Sequence, residues 1–196
     1  MTIILAIKKD NQVWIGGDRL SVQDDEKAYE DKIIKLGRVY IGAAGYGLLT
    51  QILVDMSKDL TFCADFMPTS QRDALDFAKT VFKSFMEEIE IWPKKAKEAL
   101  DEEGTNNQML IATPTQVFYV DSVLNTKECY DVIAIGSGSD LGLGALWSHY
   151  TYGRLSPKEM VLAGIDAACH FHTECGGIPQ IFQVHEDEPK RKKSSS

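Results

Sequence analysis

Chemistry is first suggested at the start of the chain, where "MTIILAIKKDNQVWIGGDRLS" sets Thr2 directly ahead of an apolar run. Ile3, Ile4, Leu5, Ala6 and Ile7 read as a strand reaching Lys8-Lys9, and Val13, Trp14 and Ile15 begin a second strand. Asp10-Asn11 between them is an acceptable two-residue hairpin turn. Centred there, the hairpin sets Ile3 opposite Asp18 and Thr2 opposite Arg19. Terminal residues are poorly ordered unless something ties them down. This hairpin ties the chain start beside an acidic residue that follows Gly16-Gly17, so the start itself becomes a candidate for part of a site.

A second hairpin brings a cation toward a glycine. "KIIKL" and "VYIGAAG" flank Gly37-Arg38, and a two-residue turn there pairs Lys32 with Ala43, one step before Gly45 leaves the strand. A strand-edge lysine ordinarily snorkels to solvent, and an aspartate after two glycines is ordinarily a turn residue. Register is what lifts Lys32 and Asp18 above those readings. Other groupings fail on spacing. "GSGS" at 136–139 has Leu141 where the third glycine of a dinucleotide loop belongs, and it lacks the lysine of a P-loop. It is not a G-x-S-x-G elbow either. His170 and His172 do not share a helix face, so with Cys169 and Cys175 nearby no metal centre is expected. His149 and His185 read as surface residues.

The elements that must position these residues follow from periodicity. "LLTQILVDM" reads as a helix, and a longer one starts after Ser70, with Leu75, Ala78, Phe82, Phe85 and Ile89 as its apolar face. "QMLIAT" and "QVFYVD" are strands joined at Pro114-Thr115, and "YDVIAIGSG" is a buried strand running into a turn before a helix opened by Ser139-Asp140. "SPKE" at 156–159 is a strong helix start, with Val161, Leu162, Ile165 and Ala168 facing inward. "IPQIFQV" closes as a strand. "SVQDDEKAYED" reads as a polar excursion, and "HEDEPKRKKSSS" as a charged, disordered tail. The order is strands, two helices, strands, two helices and a final strand, for which antiparallel sheets with helices on their faces are the natural packing.

The bulk numbers agree with one domain. The chain has 196 residues, 44% hydrophobic and 26% charged, which is enough for a core of ordinary composition. A net charge of -8 argues against nucleic acid as a partner. No apolar run approaches the roughly 20 residues of a membrane span. Lys8-Lys9 follow the apolar run rather than precede it, the reverse of a secretory signal. Cys63, Cys129, Cys169 and Cys175 form no CxxC pair and read as reduced thiols in the cytoplasm.

Taken together, Thr2 opening a strand, "IGGD" ending at Asp18, "DKIIKL" with Lys32, "GAAGYG" with Gly45 and "IAIGSGSD" with Ser137 resemble the proteasome β-subunit family, particularly HslV-type peptidases. The similarity covers residues 2 to about 184. The resemblance implies an α+β fold: a four-layer αββα sandwich of two antiparallel sheets, the N-terminal nucleophile hydrolase fold. It implies removal of Met1, leaving Thr2 to attack a peptide carbonyl with its own α-amine as base. A threonine hydroxyl needs such an adjacent base, and an α-amine titrates at about 7.7–8.0, near working pH. Lys32 would favour the alkoxide, Asp18 would hold Lys32 charged, the Gly45 N–H would serve the oxyanion hole, and Ser137 would pass a proton. Ala43 and Gly47 would border the substrate. The resemblance also implies no cofactor, self-association into stacked rings, unfolded polypeptide as substrate and an ATP-dependent unfoldase as partner.

One stretch departs from the family pattern. Many proteasome subunits carry Arg-Asp-x-x-Ser-Gly-Gly before the last strand, whereas "FHTECGG" sets His172 at the aspartate and Cys175 at the serine. The departure leaves two rivals to a threonine peptidase: a catalytically silent ring subunit, and an amidohydrolase of the same superfamily acting on small amides.

Overall fold

A computed structural model describes residues 2–23, 26–95, 97 and 106–185. The tail from residue 186 and most of "PKKAKEALDEEG" lie outside the described residues. Strands β1 (Ile4–Lys9) and β2 (Gln12–Gly17) pair antiparallel, with Ile4 opposite Gly17 and Lys9 opposite Gln12. Asp10 and Asn11 take φ of 53° and 58°. That is the mirror-image turn whose twist matches the strands it joins. The anticipated register holds to the end of the hairpin, where the Asp18 N–H donates to the Ile3 carbonyl at 3.0 Å.

Leu20–Gln23 and Glu26–Tyr29 form a small hairpin, β3 and β4. The strands Ile33–Leu36 (β5) and Val39–Ala44 (β6) turn at Gly37-Arg38, with Gly37 at φ 59°. Three helices follow: α1 (Gly47–Ser57), α2 (Leu60–Asp65) and α3 (Gln71–Glu90). Then come β7 (Gln108–Ala112), β8 (Val117–Asp121), β9 (Thr126–Cys129) and β10 (Val132–Ile135). Helices α4 (Ser139–Tyr152) and α5 (Pro157–Phe171) precede the last strand, β11 (Gln180–Val184).

The strands build two antiparallel sheets, β10-β1-β2-β11 and β5-β6-β7-β8-β9. Strand alternation fills three apolar layers. Ile4, Ala6, Val13 and Ile15 face Leu110, Ala112 and Val117 of the other sheet. On the opposite face of β1, Ile3, Leu5 and Ile7 meet Leu146, Met160, Val161 and Ile165 of α4 and α5. Ile41, Met109, Ile111 and Phe118 meet Leu49, Leu53, Ala78, Val81 and Phe85 of α1 and α3. Burying each such large side chain stabilises by about 1.5–3 kcal/mol. The result is the expected αββα sandwich.

Several local expectations are corrected. On α3 the inward stripe is Ala74, Phe77, Ala78, Val81, Phe85 and Ile89, while Leu75 and Phe82 are half-buried. The stripe therefore follows the Ala74, Ala78, Val81, Phe85 and Ile89 line, with Phe77 beside it. On α5, Met160 and Gly164 go inward and Leu162 is half-buried. The polar excursion contains the β3–β4 hairpin, and His149 is half-buried rather than a surface residue. The first helical group has a third member, α2, capped by the Asp59 carboxylate on the Thr61 and Phe62 N–H groups. The helix starts read from sequence are present: the Ser70 hydroxyl accepts the Asp73 N–H, and Ser156 with Glu159 forms a reciprocal capping box.

Candidate active site

Thr2 lies at the head of β1, in the interior of its sheet, and is only 8% exposed. Its backbone N stands 3.4 Å from Ser137 Oγ, and its carbonyl accepts the Gly138 N–H at 3.2 Å. The turn after β10 therefore wraps the chain start. Gly136 makes that approach workable: its φ is +89°, and a Cβ there would strike the Thr2 carbonyl.

Asp18 is wholly buried. Its Oδ1 accepts the Ile3 N–H at 2.9 Å and the Lys32 ammonium at 3.0 Å. Its Oδ2 accepts Lys32 at 3.1 Å, the Leu20 N–H at 3.2 Å and the Gly176 N–H at 3.1 Å. Lys32 is 5% exposed and also donates to the Leu20 carbonyl. A buried ion pair persists only when both charges are compensated by good geometry and further hydrogen bonds, and this one meets that condition. The main chain of Lys32 is fixed as well. The Ala43 N–H donates to its carbonyl at 3.1 Å, and its own N–H donates to Gln180 Oε1 at 3.0 Å.

Gly45 ends β6 with φ +120° and is exposed at the surface. A Cβ on it would strike Asn107 Oδ1, the atom that accepts the Tyr46 N–H at 2.8 Å. Gly47 opens α1 with free space on its Cβ side, whereas Ala43 is 4% exposed and packs in the core beneath the helices.

The stretch before β11 reaches the site through its main chain. His172 ends α5, half-buried, and its Nδ1 accepts the Glu174 N–H at 3.3 Å within its own turn. Among the described residues no hydrogen bond joins His172 to Thr2, Ser137, Asp18 or Lys32. Cys175 is buried, and a Cβ on Gly138 would lie 2.9 Å from its Sγ. Burial, with Asp18 adding, pushes its thiol up to about 12, and burial pushes Cys169 to about 11. Both stay protonated near neutrality, which makes them packing groups rather than nucleophiles.

Thr2, Ser137, Asp18 and Lys32 thus converge at the head of β1. Sequence reading missed Asn107, Gln108, Gly176 and Gln180, which hold the backbone around them. A polar residue at the first position of a strand is ordinary, so only the fold reveals those partners. Among the described residues no group of His, Cys, Asp and Glu is arranged to hold a metal ion.

Two antiparallel sheets enclosed by helix layers, with a threonine just ahead of the first strand, define the N-terminal nucleophile hydrolase fold. No family model and no curated protein sequence matches the chain. Solved structures do. Thiobacillus denitrificans BPH in complex with epoxomicin superposes with a TM-score of 0.77 at 26% identity, over 95% of this chain and 100% of that one. A second structure of Thiobacillus denitrificans BPH gives 0.77 at 25%, over 94% and 100%. Eukaryotic HslV from Trypanosoma brucei gives 0.64 at 15% identity, over 94% and 99%, a likeness of fold. Over nearly its whole length the chain is thus similar to proteins of the proteasome/HslV type.

Proposed function

We propose that the chain is a threonine peptidase of the proteasome/HslV type. Removal of Met1 makes Thr2 the first residue, and its hydroxyl attacks the peptide carbonyl. The observation that carries this reading is the placement of the Thr2 nitrogen 3.4 Å from Ser137 Oγ, with the buried Asp18–Lys32 pair bound to the next residue, Ile3. An amide nitrogen cannot act as a base, whereas the freed amine has Ser137 as its relay partner. Lys32 stabilises the alkoxide, Asp18 orients Lys32, and the Gly45 N–H receives the oxyanion, an interaction typically worth about 2.7–4 kcal/mol per donor. Gly47, exposed at the start of α1, borders the substrate's entry, whereas Ala43 is buried beneath the helices and His172 bonds within its own turn.

Self-association into stacked rings in the cytoplasm completes the proposal, with unfolded polypeptide as substrate and an ATP-dependent unfoldase feeding the chamber. Exposed Tyr130, Trp147, Tyr152, Phe171 and Ile178 supply apolar surface for a second copy to cover. The deciding experiment is intact mass after incubation with epoxomicin, the ligand of the BPH complex. Loss of Met1 and a single adduct absent from Thr2→Ala are expected. Retained Met1 with no adduct would overturn the reading.

A silent ring subunit is the second reading. It is favoured by His172, which bonds within its own turn, and by the protonated Cys175 thiol. Ring assembly with Met1 retained would support it.

A further inference from the structure

The head of β7 carries two adjacent polar residues whose side chains, by strand alternation, leave opposite faces of the sheet. Asn107 faces the helices. It is 1% exposed, and its Oδ1 accepts the Tyr46 N–H at 2.8 Å, immediately after Gly45. That bond fixes the amide's orientation, since a flipped amide would point a donor at the Tyr46 N–H. The Asn107 Nδ2 is left buried with no partner among the described residues. Gln108 faces the other sheet. Its Oε1 accepts the Gly136 N–H at 3.0 Å, and its Nε2 donates to the Tyr119 hydroxyl at 3.4 Å.

We infer that Asn107 and Gln108 form one positioning element for two turns, Gly45–Tyr46 and the Gly136–Ser137 turn that wraps Thr2. Asn107 holds the Gly45–Tyr46 turn, and Gln108 holds the Gly136–Ser137 turn. The inference rests on the peptidase reading, in which the first turn supplies the oxyanion N–H and the second supplies the relay hydroxyl. The two bonds leave adjacent residues of one rigid strand, so a single element sets the distance between the two turns. Displacements of 1 Å cost about 100-fold in rate when groups must be held in attack geometry. Neither side chain is assigned contact with substrate; each acts through backbone.

The test uses the full-length protein and a fluorogenic peptide, with the rate of epoxomicin adduct formation as a second readout. Gln108→Leu removes the acceptor for Gly136 and is expected to lower kcat about 10- to 100-fold with KM within about twofold, while Gln108→Glu keeps the acceptor and recovers most of the rate. Asn107→Asp keeps the acceptor for Tyr46 but sets a buried carboxyl beside the oxyanion turn. Burial raises that carboxyl's pKa, so the charge that opposes the oxyanion is relieved as pH falls. The ratio of variant to wild-type kcat is therefore expected to climb from pH 8 to pH 5.5, with melting temperature followed at each pH. Wild-type kcat in Gln108→Leu, or a pH-independent Asn107→Asp ratio, would overturn this inference while leaving the peptidase reading intact. A wild-type protein that neither turns over peptide nor forms the adduct would overturn both.

Discussion

Asp18 Oδ1 lies 2.9 Å from the Ile3 amide nitrogen, so the residue following Thr2 shares a carboxylate oxygen with the Lys32 ammonium. The backbone of the chain start and the buried cation are thereby referenced to one atom. Any shift of the lysine is a shift relative to Thr2.

That relationship separates stability from activity. Lys32→Met leaves a buried carboxylate without its cation, and Asp18→Asn leaves a buried ammonium without its anion. Each is expected to cost about 3–5 kcal/mol by urea unfolding. The double variant carries no buried charge and is expected to regain much of that loss while remaining without peptidase activity. Double-variant stability equal to the sum of the two losses would show that the pair is not coupled.

Gly136→Ala tests the turn around Thr2. A methyl group there meets the Thr2 carbonyl, and φ of +89° strains any side chain. Adduct formation is expected to fall at least about tenfold, with a lower melting temperature. An unchanged adduct rate would mean that the chain start moves freely within its site.

The thiols give a labelling prediction. With Cys175 pushed up to about 12 and Cys169 to about 11, alkylation of the native protein at pH 7.5 is expected to spare both. Their labelling should rise steeply with pH, and in denaturant all four cysteines should react. Peptide mapping by mass reads each site separately. Rapid native labelling of Cys175 at pH 7.5 would contradict its burial.

Ser156→Ala removes the α5 cap and is expected to cost about 1 kcal/mol, or about 2–4 °C in Tm. The Glu159 carboxyl is held below its ordinary range, first by the Ser156 hydroxyl and then by the Ser156 N–H. Its contribution is present above the unfolded carboxyl's pKa of about 4.3 and is lost as pH falls through the lower folded value. The gap between wild type and variant should therefore narrow in acid. A gap that is constant from pH 7 to pH 3 would assign the effect to the serine alone.

The sequence made the two hairpins legible because their turns carry residues suited to positive φ. Asp10-Asn11 and Gly37 each set a register, and register alone brings Asp18 to Ile3 and Lys32 to Ala43. The helix caps at Ser70 and Ser156 were legible for the same reason, since a local hydroxyl meets a local N–H. Less legible was anything decided by a distant surface. The face of α3 is set by packing against α1 and the β5–β9 sheet, which no periodicity count weighs. β3 and β4 are only four residues long, β4 is exposed throughout with two charged positions, and their pattern resembles a loop. Asn107, Gln108 and Gln180 accept backbone N–H groups 28 to 148 residues away, so nothing beside them in the chain marks their task.

The position of Thr2 also sets the order of events in the life of the chain. The neighbours of the chain start come from Gly136, Ser137 and Gly138, and the Asp18 carboxylate is closed from above by Gly176. During synthesis the first residues emerge long before those partners exist, and pairing across such separations is slow. The hairpin of β1 and β2 must wait for β10 and β11 to flank it. A nascent or truncated chain therefore holds Thr2 and Lys32 without the hydrogen-bond partners that the folded chain gives them. The surroundings of Thr2 are therefore assembled only when strands from both ends of the fold have met.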